Sequence, residues 1–514
     1  MDDRQARRRF RRPVVVPLLR AVPPPRAVAV LVVTLLTAVL LSGSTPVGPT
    51  ASQRMAPAGD VDWNAAVHYR PDPGTLAVGV THTQYSVDEW GDVAATARAK
   101  AVLSATASYQ NQHLFGWGAL NPEPSPGRYD WSSLDRRMQL VRSSGGTPVI
   151  TLCCAPDWMK GGRPGETDWH KLEKAPLPQH YQDFAALAAA AARRYPQVRY
   201  FQVWNELKGF WSNALNRWDY EAYTRLYNAV YDALKAVDPT LQVGGPYVVL
   251  DTWHDRDAGG HPSNLAGACG IVDQRGLDVL DYWLEHKHGA DFVSVDASLG
   301  TRDDGQVTPP ATAVQQFDVL TKWIRQRTPL PVWWSEFHLG DGPPGRQQEL
   351  AAVAAATLLR MAAVGASVAL IWQPQRERGA DRAGAPALWS STERSDGGQP
   401  LPYATAVARV QSVLADHATS RSVSWPAPEV GVLRGRDTLL LVHAADGDVT
   451  VAVEGHRLRL GAYEVRYLHL PPRPLVFRAL SALAATLLPR APKTGQCLRL
   501  ARGPTPEVAP SWGG

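Results

Sequence analysis

Between residues 75 and 416 the sequence alternates short apolar segments with longer amphipathic ones, a pattern that few folds accommodate. Eight strand-helix pairs predict a parallel (β/α)8 TIM barrel of the α/β class. An open doubly wound sheet would instead call for a glycine-rich phosphate loop after the first strand, and residues 81–85 (THTQY) contain no glycine. The predicted strands are Leu76–Thr81, His113–Gly118, Pro148–Cys153, Arg199–Trp204, Leu241–Pro246, Phe292–Asp296, Val332–Glu336 and Val368–Trp372.

Beyond residue 417 the apolar period shortens to the alternation of half-buried strands. Short runs separated by turns predict a small C-terminal antiparallel, β-sandwich-like domain. The domain boundaries that follow are a basic leader at 1–42, a linker at 43–74, the barrel at 75–416, the β domain at 417–475 and a Pro-rich tail at 476–514.

The positive charge of the chain is concentrated at its start. Residues 1–26 hold eight arginines and two aspartates, a net charge of +6, while the remainder holds 45 basic and 46 acidic residues. This distribution argues against a nucleic-acid partner. An uncharged apolar run at residues 27–41 follows the arginines, as in a secretory signal or an uncleaved membrane anchor. We therefore expect a secreted or membrane-anchored, extracytoplasmic protein, with both alternatives open.

The four cysteines, Cys153, Cys154, Cys269 and Cys497, have the spacing of neither a zinc site nor a redox motif. A disulfide from Cys269 to one of the vicinal pair and free buried thiols are both compatible with the sequence. No metal site and no cofactor are predicted, since the sequence contains no HExxH, GxSxG or Walker motif.

Two predicted strands end abruptly on a glutamate: residues 201–206 (FQVWNE) and residues 332–336 (VWWSE). A carboxylate at the end of a buried run requires a partner or a function, because burial of an unpaired charge is unfavourable. Active sites of TIM barrels lie at the carboxyl ends of the strands. Glu206 and Glu336 therefore form a candidate pair for acid/base and nucleophilic attack on a glycosidic bond. The alternative for each is a salt-bridged structural glutamate.

Further candidates suggest that the pair acts on an oligo- or polysaccharide. An amide beside Glu206 can bond a sugar hydroxyl, and indole rings pack against the C–H faces of sugars. Each aromatic or histidine candidate could equally be a core or capping residue. The candidate substrate-binding residues are Asn205, Trp372, Trp158, Trp204, Trp211, Trp334, His338 and His113.

These motifs resemble those of clan A glycoside hydrolases. Trp204-Asn205-Glu206 and Ser335-Glu336 are similar to the two catalytic motifs of the clan, and Gly127–Asp135 (GRYDWSSLD) is similar to a stretch after its second strand. Within the clan the chain looks most like glycoside hydrolase family 39, which includes β-xylosidases and α-L-iduronidase.

The resemblance implies roles for four residues. Glu206 would be the general acid/base, Glu336 the nucleophile, Asn205 the contact to the 2-hydroxyl and Trp372 the platform under the sugar. One departure is Asp296, which ends the sixth predicted strand where many clan members carry a histidine and an aromatic residue.

The leading hypothesis is an exported, retaining glycosidase similar to β-xylosidases. Two alternatives stay open: a membrane-anchored endo-glycosidase that trims an exopolysaccharide or cell-envelope glycan, and a non-catalytic carbohydrate-binding barrel.

Overall fold

The computed structural model describes residues 56, 57, 61, 63, 75–84, 87, 91–255, 261–303, 308–340, 346–376, 386–415 and 422–470. These residues belong to one compact unit that begins at Met55. The predicted leader and Pro-rich tail, most of the predicted linker, and Cys497 lie outside the described residues. Within the described ranges, no helix is both long enough and apolar enough to traverse a bilayer.

Eight parallel strands close into a barrel, which confirms the predicted fold class. Each strand pairs with its neighbours in sequence order, and the eighth pairs with the first through Val368–Trp372 and Ala77–Thr81. The barrel strands are Ala77–Thr81, Tyr109–His113, Thr147–Leu152, Tyr200–Val203, Gln242–Val249, Phe292–Asp296, Val332–Trp334 and Val368–Trp372.

Helices follow the strands and form the outer layer of the barrel. Aspartates cap three of them: Asp92, Asp219 and Asp273 each accept a hydrogen bond from a backbone amide of the first turn. Such caps satisfy amides that have no partner within the helix. The helices are Val93–Thr106, Ser132–Ser143, Tyr181–Arg194, Tyr220–Val237, Gln274–His286, Pro310–Ala313, Gln316–Arg325, Gln347–Ala363 and Pro402–Ala415.

The second barrel strand corrects the sequence prediction. It spans Tyr109–His113 rather than His113–Gly118. Its residues 110–112 (QNQ) are polar yet fully buried, because they face partners within the protein. Gln110 donates to Ser144, and Asn111 donates to Thr81. A polar strand of this kind carries no apolar periodicity for sequence analysis to detect.

The amino-terminal end of the barrel interior is filled by aromatic side chains around Trp333. The indole stacks on Phe292 with 4.1 Å between ring centroids, and lies 5.2 Å from Tyr200 and 5.5 Å from Tyr109. Trp333 is 3% exposed. This aromatic cluster, the barrel plug, closes the amino-terminal end of the barrel, and the carboxyl-terminal end is left open for a site.

Replacement of Trp333 by alanine is expected to lower the free energy of unfolding by about 3–5 kcal/mol, because a large buried side chain would leave a cavity. Denaturant unfolding measures the loss. Trp169→Ala is the matched control, since Trp169 is 50% exposed, and we expect less than about 1 kcal/mol there. Equal losses in the two variants would contradict the assignment of Trp333 as the barrel plug.

The C-terminal domain is antiparallel, as predicted, and packs on the helices Gln347–Ala363 and Pro402–Ala415. Arg360 of the first helix lies over the ring of Trp425, 3.4 Å from its centroid. Sequence analysis missed the first strand of this domain, Ser422–Ala427, and the pairing of its last strand, Val465–His469, with Ala56–Pro57. The strands are Ser422–Ala427, Val430–Arg434, Thr438–His443, Val449–Val453, His456–Leu460 and Val465–His469.

Candidate active site

Glu206 leaves the fourth barrel strand through a sharply turned segment. Trp204, Glu206 and Leu207 have positive φ angles of 70°, 49° and 48°, a region that non-glycine residues adopt only when the surroundings enforce it. Here the enforcement comes from Trp204, whose buried indole donates to the carbonyl of Lys208 at 2.8 Å. The backbone is thereby folded so that the Glu206 carboxylate points into the mouth of the barrel.

Glu336 lies two residues beyond the seventh strand and is 3% exposed. The hydroxyl of Tyr247 donates to its Oε1 at 2.6 Å. Tyr247 comes from an irregularity in the fifth strand, where Pro246 and Val248 pair with consecutive residues of the sixth strand. The extra residue turns the phenol into the barrel, with φ of 55°. The bond from Tyr247 orients Glu336 toward the same space as Glu206.

Two further side chains complete the cluster around these glutamates. His338 Nε2 lies 3.5 Å from Oε2 of Glu336 and 3.5 Å from Oδ2 of Asp296. Asp296 in turn hydrogen-bonds Glu206. The four groups, Glu206, Asp296, Glu336 and His338, each present one atom within 4.8 Å of all the others. Two glutamates 130 positions apart in sequence are thus neighbours.

Lys208, which sequence analysis did not single out, supplies a cation to the site. Its Nζ lies 2.9 Å from Glu206 Oε2 and 2.9 Å from Glu173 Oε1. It also lies over the ring of Trp117, 5.2 Å from the centroid. The only sequence signal for Lys208 is its position two residues after Glu206. Its ammonium group stabilises the ionised form of that carboxyl.

The surroundings shift the pKa values of the three carboxyl groups in different directions. Burial acts to raise the pKa of Glu206, but the hydrogen bond from Asp296 and the charge of Lys208 outweigh it and lower the pKa. Burial raises the pKa of Asp296 well above its usual range. Burial and the charge of Glu206 also raise the pKa of Glu336, against the opposing bond to His338. Asp296 and Glu336 raise the pKa of His338 to about 11, so the imidazole is a cation at neutral pH.

A ring of polar side chains lies inside the barrel directly below the carboxylates. Ser335 and Ser294 bond each other at 2.7 Å, and Ser294 donates to Gln202 at 2.8 Å. Gln202 donates to Thr151 at 3.1 Å, and Thr81 donates to the carbonyl of Ser335 at 2.8 Å. The ring ties the strands that carry Glu206 and Glu336 to one another, and fully satisfied buried networks of this kind are rigid. Sequence analysis missed it.

Some predicted substrate-binding residues lie at the site. Asn205 is buried beside His113, whose pKa is lowered to about 3 by burial and by the charge of Arg137. His113 packs on Trp117 with 4.5 Å between ring centroids. Trp372 is partly exposed, and its ring centroid lies 5.5 Å from that of His338. Asn205, His113 and Trp372 therefore lie beside the carboxylates, and their contact with substrate stays a prediction.

Other predicted rim residues lie elsewhere. Trp204 and Trp334 are fully buried, and Trp334 donates to Thr321 on the outer helix layer. The prediction that they line the rim is wrong. Strand alternation directs Trp333 inward and Trp334 outward, and the ring of Trp204 packs on Phe184 of the helix Tyr181–Arg194. Trp158 is half-buried and bonded to the carbonyl of Glu123. Trp211 is 41% exposed on a hairpin beyond Glu206.

The cysteines decide between the two alternatives left open by the sequence: for Cys269 the free buried thiol holds. Cys153 and Cys154 are bonded to each other, and Cys269 is free and buried. Cys269 therefore does not pair with either member of the vicinal pair.

The spacing of Glu206, Asp296, Glu336 and His338 would admit a cation. Lys208 and the protonated His338 already place positive charge against these carboxylates. We therefore assign them no metal.

Comparison with known proteins agrees with the site. A model of the glycosyl hydrolases family 39 matches residues 123–369, from the loop after the second strand to the eighth strand. The chain is similar to clan A glycoside hydrolases, and most similar to family 39. Two curated relatives are β-xylosidases, from Caldicellulosiruptor saccharolyticus and Geobacillus stearothermophilus, each 25% identical over 226 and 237 residues respectively. Each match covers 42% of this chain and 42% of the relative.

Solved structures support the fold of this family 39-like chain. A family 39 glycoside hydrolase from Bacteroides cellulosilyticus WH2 superposes with a TM-score of 0.53 at 16% identity, over 77% of this chain and 81% of that one. A β-xylosidase from Caulobacter crescentus CB15 gives a TM-score of 0.50 at 20% identity, over 76% and 75% of the two chains.

The stretch Gly127–Asp135, which carries part of the family 39 resemblance, has a packing role in the structure. Asp135 accepts hydrogen bonds from Arg194 and from Tyr195, each at 2.9 Å. The helix Ser132–Ser143 is thereby fastened to the helix Tyr181–Arg194. The departure at Asp296, by contrast, lies within the carboxylate cluster itself.

Proposed function

We propose that this chain is a retaining glycoside hydrolase, similar to β-xylosidases, with Glu206 as acid/base and Glu336 as nucleophile. The observation that carries the proposal is the approach of one oxygen of each carboxylate to within 4.8 Å of the other. Retaining enzymes hold their carboxyl groups about 5–5.5 Å apart, whereas inverting enzymes leave about 6.5–9.5 Å for a water molecule. The short separation favours direct attack by Glu336.

In the first step a proton passes from Glu206 to the glycosidic oxygen, the bond from that oxygen to the anomeric carbon breaks, and Glu336 bonds to the carbon. Tyr247 and His338 contact Glu336. They stabilise its carboxylate before the attack and again when it departs from the anomeric carbon in the second step. In the second step Glu206 takes a proton from water, and the resulting hydroxide displaces Glu336. Configuration at the anomeric carbon is retained because it is inverted twice.

The sugar that we propose is a β-linked xylose. The support is the naming of both curated relatives as β-xylosidases. Asn205 and Trp372 would contact the 2-hydroxyl and one face of the ring, since both border the carboxylates.

The proposal is tested by mass spectrometry of the intact protein after incubation with a dinitrophenyl xyloside fluorinated beside the anomeric carbon. Fluorine slows the second step, so a mass gain of one fluoroxylosyl group on Glu336 is expected. A glucoside with the same substituents is the matched probe for sugar preference. Absence of labelling together with absence of turnover on aryl glycosides and xylan would overturn the proposal.

We also propose export, on the strength of the arginine-rich segment and the apolar run at residues 27–41. Fusion of residues 1–60 to alkaline phosphatase, which is active only after export, tests this, and an inactive, cytoplasmic fusion would exclude it.

A further inference from the structure

Asp296 occupies an unusual place for a carboxyl group. It ends the sixth barrel strand, is fully buried, and presents an oxygen within 4.8 Å of an oxygen of Glu206. Its cationic neighbour is His338, whose Nε2 lies 3.5 Å from Asp296 and 3.5 Å from Glu336. Two carboxylates held this close in a buried site repel each other, so a proton on one of them is favoured.

The charges around Asp296 indicate how many protons the cluster holds. Two buried carboxyl groups, those of Asp296 and Glu336, and the partly buried one of Glu206 face two cations, Lys208 and His338. Lys208 also bonds Glu173, which is largely exposed to solvent and contributes little. One shared proton makes the cluster neutral, and a neutral cluster is the state that burial favours.

The contacts also indicate which carboxyl group carries that proton. Glu206 has Lys208 at 2.9 Å, and Glu336 accepts from Tyr247 at 2.6 Å. Asp296 has neither an ammonium nor a phenol of its own, and its Oδ1 is buried without a partner. Burial, which raises the pKa of Asp296 and outweighs the opposing charge of His338, agrees with this placement.

We propose that Asp296 is a positioning residue that stores the catalytic proton and delivers it through Glu206 to the leaving group. This inference rests on the proposed function and names a device within the same site. In the first step the proton of Asp296 passes to Glu206, which donates it to the glycosidic oxygen, so that both carboxyl groups are ionised in the glycosyl-enzyme. In the second step the proton taken from water by Glu206 returns to Asp296, so that the protein ends each cycle unchanged.

Such a relay explains why Lys208 lies against the expected acid. Lys208 keeps Glu206 ionised at rest, which suits its later role as base, while Asp296 keeps the proton available.

Other titratable groups lie near the cluster: Tyr247 of the fifth strand, Asp251 of the loop after it, and His113 of the second strand. Burial raises the pKa of Asp251 to about 6, so it could contribute to a pH profile and requires its own control.

The test compares two aryl xylosides in the full chain and in Asp296→Asn. Phenyl xyloside needs protonation of its leaving oxygen, whereas dinitrophenyl xyloside does not. We expect kcat/KM for phenyl xyloside to fall about 10²-fold or more and that for dinitrophenyl xyloside to change about threefold at most. Asp251→Asn is the matched control. In that variant the ratio of kcat/KM for phenyl xyloside to kcat/KM for dinitrophenyl xyloside should equal that of the unmodified protein.

The pH profile supplies a second readout. Without Asp296 the only proton donor is Glu206, whose pKa is lowered by Lys208. The alkaline limb of kcat/KM is therefore expected to move to lower pH in Asp296→Asn. In Lys208→Met the limb is expected to move to higher pH, because the charge that lowers the pKa of Glu206 is gone. Lys208→Met also provides an independent test if Asp296→Asn does not fold.

If Asp296→Asn lowers kcat/KM equally for both xylosides and leaves the limbs of the pH profile in place, Asp296 has only a structural role. That result would contradict the inference and leave the proposed function intact. An alkaline limb that stays in place or moves downward in Lys208→Met would also overturn the inference. Failure of the unmodified protein to hydrolyse either xyloside would instead count against the proposed function, and the inference would fall with it.

Discussion

Replacement of Glu336 by glutamine is expected to abolish turnover. The amide cannot form the glycosyl-enzyme, and the loss of an attacking group typically lowers kcat at least about 10⁴-fold. The loss should extend to dinitrophenyl xyloside, because attack on the anomeric carbon is needed whatever the leaving group. Initial rates of dinitrophenolate release measure it, with thermal unfolding to verify that the variant is folded.

Glu464→Gln in the C-terminal β domain is the matched control for the Glu336 variant. Glu464 is ion-paired with Arg466 at 2.6 Å and lies outside the barrel, so we expect activity within about twofold of the unmodified protein. Residual turnover of Glu336→Gln above a few per cent, in a folded protein, would show that Glu336 is not the nucleophile. The glutamates would then have to be reassigned before any claim about retention.

The carboxylate pair could be predicted from the sequence because barrel geometry is strict. Glu206 and Glu336 each end an apolar run, and the carboxyl ends of all strands in a parallel barrel meet at one face. Closure of the barrel then brings residues 130 positions apart into one cluster. The same reasoning did not distinguish inward from outward side chains, since strands buried on both faces lack alternation. Trp334 was consequently misassigned to the rim.

The rest of the site depends on local backbone geometry that could not be predicted from the sequence. Lys208 reaches Glu206 only because the chain turns through positive φ at Glu206 and Leu207. Tyr247 enters the site through a one-residue irregularity in the fifth strand. The polar ring that includes Gln202 and Ser294 lies on strands that sequence analysis identified by their apolar residues, so its members were overlooked. Tyr247 and the polar ring depend on long-range contacts and Lys208 depends on a local turn, and composition or spacing records neither.

Replacement of Glu206 by glutamine is expected to separate the two chemical steps. Loss of the acid should slow cleavage of phenyl xyloside by about 10²–10⁴-fold. Dinitrophenyl xyloside should still form the glycosyl-enzyme quickly, because its leaving group needs no proton. Loss of the base then makes hydrolysis of that intermediate rate-limiting. A pre-steady-state burst of dinitrophenolate, followed by slow turnover with a lowered KM, is the expected result.

Azide and pH distinguish this variant from a structural defect. Azide is a nucleophile that needs no base, so it should restore turnover of dinitrophenyl xyloside and yield a β-xylosyl azide of retained configuration. The charge of Glu206 raises the pKa of Glu336, and Glu336 must be ionised to attack. Removal of that charge should therefore move the acid limb of kcat/KM to lower pH. If Glu206→Gln shows no burst, no azide rescue and an unmoved acid limb, the proton donor lies elsewhere in the cluster, and Asp296 would be the first group to examine.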